Sequence, residues 1–242
     1  MSSVIPFSYQ EIERVYAKVV AADLRSLAVT AAESGDGVTT LASAIAERAA
    51  HAGRRTLLAD LGYHRQDVES ASAWSIEELL DLAEGRSDAA ASSALVAGPE
   101  PQLWRLGRSR MPGVALALRD PAVMRRFMAR LEASFDLVIV DASPVLAVNA
   151  ANVPAETVMR ACSGGILVVS ACRTPLERVA VAHERLVGSA APIIGCVLND
   201  RWNPKLSAEI CRETRRLDRV LPVAMARLRR WAQGSTLLSA EV

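Results

Sequence analysis

SGDGVTT, residues Ser34–Thr40, stands between two stretches of opposite character. RSLAVTAA at 25–32 is a short apolar run that reads as a buried strand. TTLASAIAERAAHAG at 39–53 has helical spacing of its apolar positions and stops at Gly53. A glycine-rich turn leaving a strand and opening a helix is the place where backbone N–H groups surround phosphates. Against G-x-x-x-x-G-K-[ST], the chain offers Ala32 at the first glycine, Gly37 at the second, Val38 at the lysine and Thr39 at the hydroxyl. Gly35, Gly37, Val38, Thr39 and Thr40 are therefore candidate nucleotide-binding residues in a loop that lacks its cation.

Outward from the loop the same alternation continues. RTLLAD (55–60), PQLWRLG (101–107), FDLVIVDASP (135–144), GGILVVSA (164–171), PIIGCVLND (192–200) and DRVLPVA (218–224) read as strands. SIEELLDLAEG (75–85, with Ser75 as cap), PAVMRRFMARLEAS (121–134), TPLERVAVAHERLVG (174–188), a stretch around 204–216 and another at 225–233 read as helices. Strands apolar on both faces and separated by helices predict an α/β fold, a doubly wound, mainly parallel sheet covered on both sides. Residues 85–101 read as a surface excursion. The expected organisation is an N-terminal helical extension, 1–20, followed by one α/β domain, 21–242.

Composition narrows the function classes. Hydrophobic residues make up 51% of the 242, and aromatics only 4%, so the core is expected to be aliphatic. A net charge of +1 without a long basic run argues against nucleic acid as a partner. The only lysines are Lys18 and Lys205. The cluster from Arg212 to Arg230 reads as a solvated helix face. Cys162, Cys172, Cys196 and Cys211 form no CxxC pair and His51, His64 and His183 are scattered, so buried free thiols in a reducing compartment are expected. The N-terminus does not read as a secretory signal, and no stretch is apolar enough to span a bilayer.

Taken together, ESGDGVTTLASAIAERAAHAGRRTLLADLGYHRQ, SIEELLDLAEG, LWRLGR, FDLVIVDASPVLAVNAA, GGILVVSACRTPLERV and IIGCVLND resemble, in order and spacing, the bacterial tyrosine kinases of capsule and exopolysaccharide synthesis. That family lies within the P-loop group of the MinD and ParA ATPases. The resemblance covers about residues 8–224, and the split holdfast-synthesis proteins of stalked bacteria look similar in arrangement. It implies ATP or ADP with Mg²⁺ as ligands. It assigns Thr39, Asp60 and Asp141 to the metal, the two aspartates also to catalysis, and Asn199 to adenine. It also exposes losses: Val38 falls on the essential lysine, Gly62 on the second aspartate of its motif and His64 on an arginine, with Arg65 beside it. The C-terminal tyrosine cluster is missing, since the only tyrosines are Tyr9, Tyr16 and Tyr63.

Each retained residue also has a plain reading. Thr39 can cap its helix, Asp60 and Asp141 can bond loop amides at strand ends, and Asn199 can stabilise a turn. Losing a charge-assisted bond weakens binding by about one to two decades. Losing a cation that stabilises transferring phosphoryl costs about 10³–10⁵ in rate. The expectation is a degenerate cytoplasmic subunit, not an enzyme and with no nucleotide required. It would be held at the inner membrane by a polysaccharide co-polymerase. Glu11 and Arg14 match two positions of the relatives' E-x-x-R-x-x-R subunit contact, while Ala17 stands at the third, so a homo-oligomer stays open. The alternatives are a MinD/ParA-like ATPase at the membrane surface, with Arg227, Arg229, Arg230 and Trp231 against lipid, and an active kinase in which an arginine replaces the lysine.

Overall fold

The computed structural model describes residues 6–63, 71–76, 94–111, 113–147, 149, 152–201, 214, 225–228, 230 and 231. The expected helices 75–85, beyond Ile76, and 204–216, the expected strand 218–224, and His64, Arg65, Lys205 and Arg229 lie outside the described residues. Contacts divide the chain into two compact units, Met1–Val169 with Thr174–Asn199, and Ser170–Arg173 with Asp200–Val242. In the second unit, residues 225–228, 230 and 231 are helical.

The first unit runs α1 (Gln10–Ala21), β1 (Ser26–Ala31), α2 (Val38–His51), β2 (Thr56–Leu61), β3 (Ala71–Ser72), β4 (Leu95–Ala97), β5 (Leu103–Leu106), β6 (Arg108–Ser109), α3 (Val114–Ala117), α4 (Pro121–Ser134), β7 (Leu137–Ala142), α5 (Ala155–Ala161), β8 (Gly164–Ser170), α6 (Leu176–Gly188) and β9 (Ile193–Asn199). Seven strands form one sheet in the order β4-β5-β2-β7-β1-β8-β9, and β3 pairs with β6 separately. The pairings β1–β7, β1–β8, β2–β5 and β2–β7 are parallel, and β4 runs antiparallel to β5. The α/β class and the mainly parallel sheet read from the sequence are thus present. The β4 strand falls inside the stretch taken as a surface excursion. Helices α3 and α5 were not foreseen, being only four and seven residues long, too short for a 3.6-residue period to show.

Alternation along each strand explains why the sheet is apolar on both faces. Leu57, Ala59, Val138 and Val140 point into one buried cluster, with Met124, Phe127, Met128 and Leu131 of α4. Leu27, Val29, Leu58, Leu137 and Ile139 point into the other, where α2 contributes Leu41, Ala42, Ile45, Ala46 and Ala49. The N-terminal helix is packed there too. Ile12, Tyr16 and Val19, spaced for one helical face, join that cluster, and Arg48 of α2 lies 4.7 Å from the Tyr16 ring centroid. Arg48 also pairs with Glu13, its Nη2 donating to Oε2 at 3.0 Å.

The cysteines correct one expectation. Cys162 is buried, but Cys172 and Cys196 are exposed: one stands in a turn at positive φ (58°) and the other on β9, the outermost strand among the described residues. Burial pushes the Cys162 thiol from 9.0 up to about 12. A thiol kept neutral by the fold contributes its full stabilisation below its unfolded value and loses it as pH rises towards the folded one. Stability is therefore expected to fall above pH ~9, by about 1.4 kcal/mol per pH unit from this group, up to pH ~12. Urea midpoints at pH 8, 9 and 10 check this, and Cys162→Ala should flatten the slope. In the folded chain a thiol reagent at pH 8 should label Cys172 and Cys196 and spare Cys162.

Candidate phosphate-loop site

Beyond β2 and β7 on one side of β1 lies β8 on the other, so strand order reverses beside β1, where an α/β sheet opens a crevice at its carboxyl ends. The segment Ala32–Gly37 leaves β1 at that point. Gly35 and Gly37 have φ of 88° and 104°, a conformation that side chains with a Cβ rarely adopt. Gly37 is the N-cap of α2, without a side-chain capping bond. Thr39 therefore sits one residue inside the first turn and is not the cap, a correction to its plain reading: the helix starts at Val38. Thr39 is exposed, whereas Val38 is 9% exposed and joins the buried cluster around α2. At the position where the phosphate-loop pattern needs a solvated ammonium, the chain places a side chain packed against apolar neighbours.

Three polar groups brace the loop from the β8–α6–β9 side. Asp36, buried, accepts the Thr174 hydroxyl at 2.7 Å on one oxygen and the Glu33 N–H at 3.4 Å on the other. The Asn199 amide donates to the Asp36 carbonyl at 2.8 Å. Arg178 pairs with Glu33 at 2.6 Å. Asn199 reaches so close over Gly37 that an added Cβ would stand 2.5 Å from its Nδ2. Gly37→Ala is accordingly expected to cost about 1–3 kcal/mol, from the strain of positive φ and from displacing Asn199. In urea titrations Asn199→Ala should reduce that cost, and equal costs in both backgrounds would show that the two residues do not press on each other.

The aspartates meet through register. In the parallel pairing of β2 with β7, Asp60 stands opposite Asp141. By the alternation of both strands, each lies on the face that carries α2. Asp141 is 3% exposed. Asp60 Oδ1 accepts the Gly62 N–H at 2.8 Å, and Oδ2 lies 3.4 Å from Nε of Arg108, which is buried. Arg108 Nη1 also reaches the Gly62 carbonyl at 3.5 Å. Tyr63 closes this corner: its hydroxyl accepts the Ser109 N–H at 3.2 Å, and burial pushes its pKa up to about 12.

The structure thus brings Gly35, Gly37, Val38, Thr39 and Thr40 to the start of α2, Asp60 and Asp141 to neighbouring strand ends, and Asn199 onto the loop itself. The sequence reading missed Arg108, Thr174 and Arg178. Thr174 carried a signal in its place just before Pro175 at a helix start. Arg108, one arginine after a glycine at a strand end, carried none.

No protein-family model matches the chain. Tyrosine-protein kinase CpsD of Streptococcus agalactiae serotype III (strain NEM316) is 28% identical over 176 residues, 72% of this chain and 73% of that protein. The chain is homologous to the bacterial tyrosine kinases. Among solved structures, the kinase domain of Escherichia coli tyrosine kinase ETK superposes with a TM-score of 0.61 at 22% identity, covering 82% of this chain and 81% of that one. The septum site-determining protein MinD of Pyrococcus horikoshii OT3, complexed with Mg-ADP, gives 0.52 at 17%, covering 75% and 72%. These likenesses establish a MinD/ParA-type P-loop fold for this kinase homologue. Among its described residues no helix is long and apolar enough to cross a membrane.

Proposed function

We propose that this chain is a degenerate tyrosine-kinase-like subunit. In this reading it supports synthesis and export of an exopolysaccharide, capsule or holdfast-type adhesin by docking on a membrane co-polymerase, without transferring phosphate. The observation that carries the reading is Val38, packed into the cluster around α2 where a phosphate loop needs lysine. Similarity to tyrosine kinases of the CpsD type supports the link to capsule-type polymers, and in this reading the chain is an N-terminal helical extension, 1–20, before an α/β domain, 21–242. Nucleotide with Mg²⁺ is at most structural. Asn199, bonded to the loop, steadies the turn instead of reading adenine, and the chain sits in the cytoplasm at the inner membrane through its partner.

Genetic complementation tests this. Deleting the gene is expected to abolish the surface polymer, and an Asp141→Asn variant that folds normally is expected to restore it. Incubated with Mg·ATP, the purified chain and its co-polymerase should carry no phosphotyrosine. Failure of Asp141→Asn to complement, or label on Tyr9, Tyr16 or Tyr63, would overturn the scaffold reading.

One observation favours a second reading, an ATPase acting at the membrane surface: Leu228 and Trp231 are exposed on a helical segment that also carries Arg227 and Arg230. Co-sedimentation with anionic liposomes separates the two, salt-sensitive binding being the result that supports the ATPase.

A further inference from the structure

We infer that Arg108 is a built-in cation that takes, at Asp60, the charge-neutralising place a divalent metal holds in a working phosphate-loop site. The inference deepens the degenerate reading of that site and rests on it.

Two carboxylates in register on adjacent parallel strands need a positive charge near them, because each is taken from water and repels the other. Asp60 and Asp141 are such a pair. Among the described residues, Arg108 brings a positive charge to Asp60, its Nε 3.4 Å from Oδ2. The other oxygen accepts the Gly62 N–H, so one oxygen of Asp60 is bonded to backbone and the other faces the guanidinium. Gly62 itself contributes to the exchange. The kinase resemblance puts a second aspartate there, but glycine offers only backbone, and its carbonyl receives Arg108 Nη1 at 3.5 Å.

The backbone that carries Arg108 is anchored on both sides in sequence. The Gly107 carbonyl accepts the Trp74 indole N–H at 2.8 Å, the Ser109 hydroxyl donates to the Trp74 carbonyl at 2.5 Å, and Ser109 N–H is bonded to Tyr63. Strand β6 is further held by pairing Arg108 with Ala71 and Ser109 with Ser72. A delocalised charge that is never deprotonated, held this rigidly, raises the energy of any dication placed on the same carboxylate. Asp60, with Arg108 beside it, does not fit a magnesium ligand.

The test is Mn²⁺ binding to the purified full chain, followed by electron paramagnetic resonance and by melting temperature, for the natural protein, Arg108→Gln, and Arg108→Gln with Asp60→Asn. Three results are expected: no saturable Mn²⁺ site in the natural chain, Mn²⁺ binding at least about tenfold tighter with a raised melting temperature in Arg108→Gln, and loss of both in the double variant. Should Arg108→Gln fail to fold, recovery of the fold by added Mn²⁺ or by the second substitution supports the inference. An unfolded double variant, or a folded Arg108→Gln that gains no Mn²⁺ site, overturns it. So does a tight site in the natural chain that Asp60→Asn removes. Such a site without phosphotyrosine formation would sink this inference alone, whereas phosphotyrosine formation by the natural chain would sink the scaffold reading.

Discussion

Phe127→Ala is expected to destabilise the first unit by about 3–5 kcal/mol, the range for deleting a fully buried aromatic side chain. Phe127 is 1% exposed. It sits on the inner face of α4, a helix that Asp120 caps through Ala122 N–H at 2.7 Å and Val123 N–H at 3.2 Å, with proline at its first position. Its ring stacks on Trp74, centroids 5.9 Å apart and planes within 9°. Aromatic pairs of this kind add about 0.5–1.5 kcal/mol beyond burial. The loss should reach the candidate site as well, since Trp74 holds Gly107 and Ser109, the residues on either side of Arg108. Urea unfolding measures the first effect through the midpoint, with the slope unchanged. A shift worth less than about 1 kcal/mol would mean that the Trp74 side of the core recloses over the gap.

Val38→Lys should tighten ATP binding by about 10- to 100-fold, the worth of one charge-assisted hydrogen bond to phosphate. The same change should lower stability by about 1–3 kcal/mol, because an ammonium cannot stay among the apolar neighbours of Val38 and its stem must leave them. Titration calorimetry with ATP and ADP reads the first number. Phosphoryl transfer is not expected to return, for a lysine restores a phosphate contact but leaves Asp60 paired with Arg108. If the variant binds no more tightly than the natural chain, the loop around Asp36 is not a dormant phosphate cradle. Measurable turnover would mean that lysine was the one missing part.

Sequence periodicity carried most of the fold because the decisive elements are long or uniformly apolar. Helix α4 runs from Pro121 to Ser134, the residues that the spacing predicts, and β7 is buried along its whole length. What escaped was short or lacked a period: two-residue β3 and β6, three-residue β4, four-residue α3 and seven-residue α5. At the site, Val38, Asp60 and Asp141 were legible because each interrupts or ends a recognisable pattern. Their partners were not. Nothing in the local sequence couples Arg108 to Asp60 or Thr174 to Asp36, since these contacts arise only when strand ends remote in the chain are brought side by side. The buried-thiol expectation failed for a related reason. Cys196 lies on β9, an apolar run by sequence but the outermost strand of the sheet among the described residues.

The register that sets Asp60 opposite Asp141 also bears on how the chain assembles. Strands β2 and β7 are neighbours in the sheet, yet among the described residues β3, β4, β5, β6 and the helices α3 and α4 are synthesised between them. A growing or refolding polypeptide therefore meets the electrostatic conflict only on closing a long loop, a slow, non-local step. Arg108 arrives earlier in synthesis than Asp141, so its guanidinium can pair with Asp60 before the second carboxylate docks.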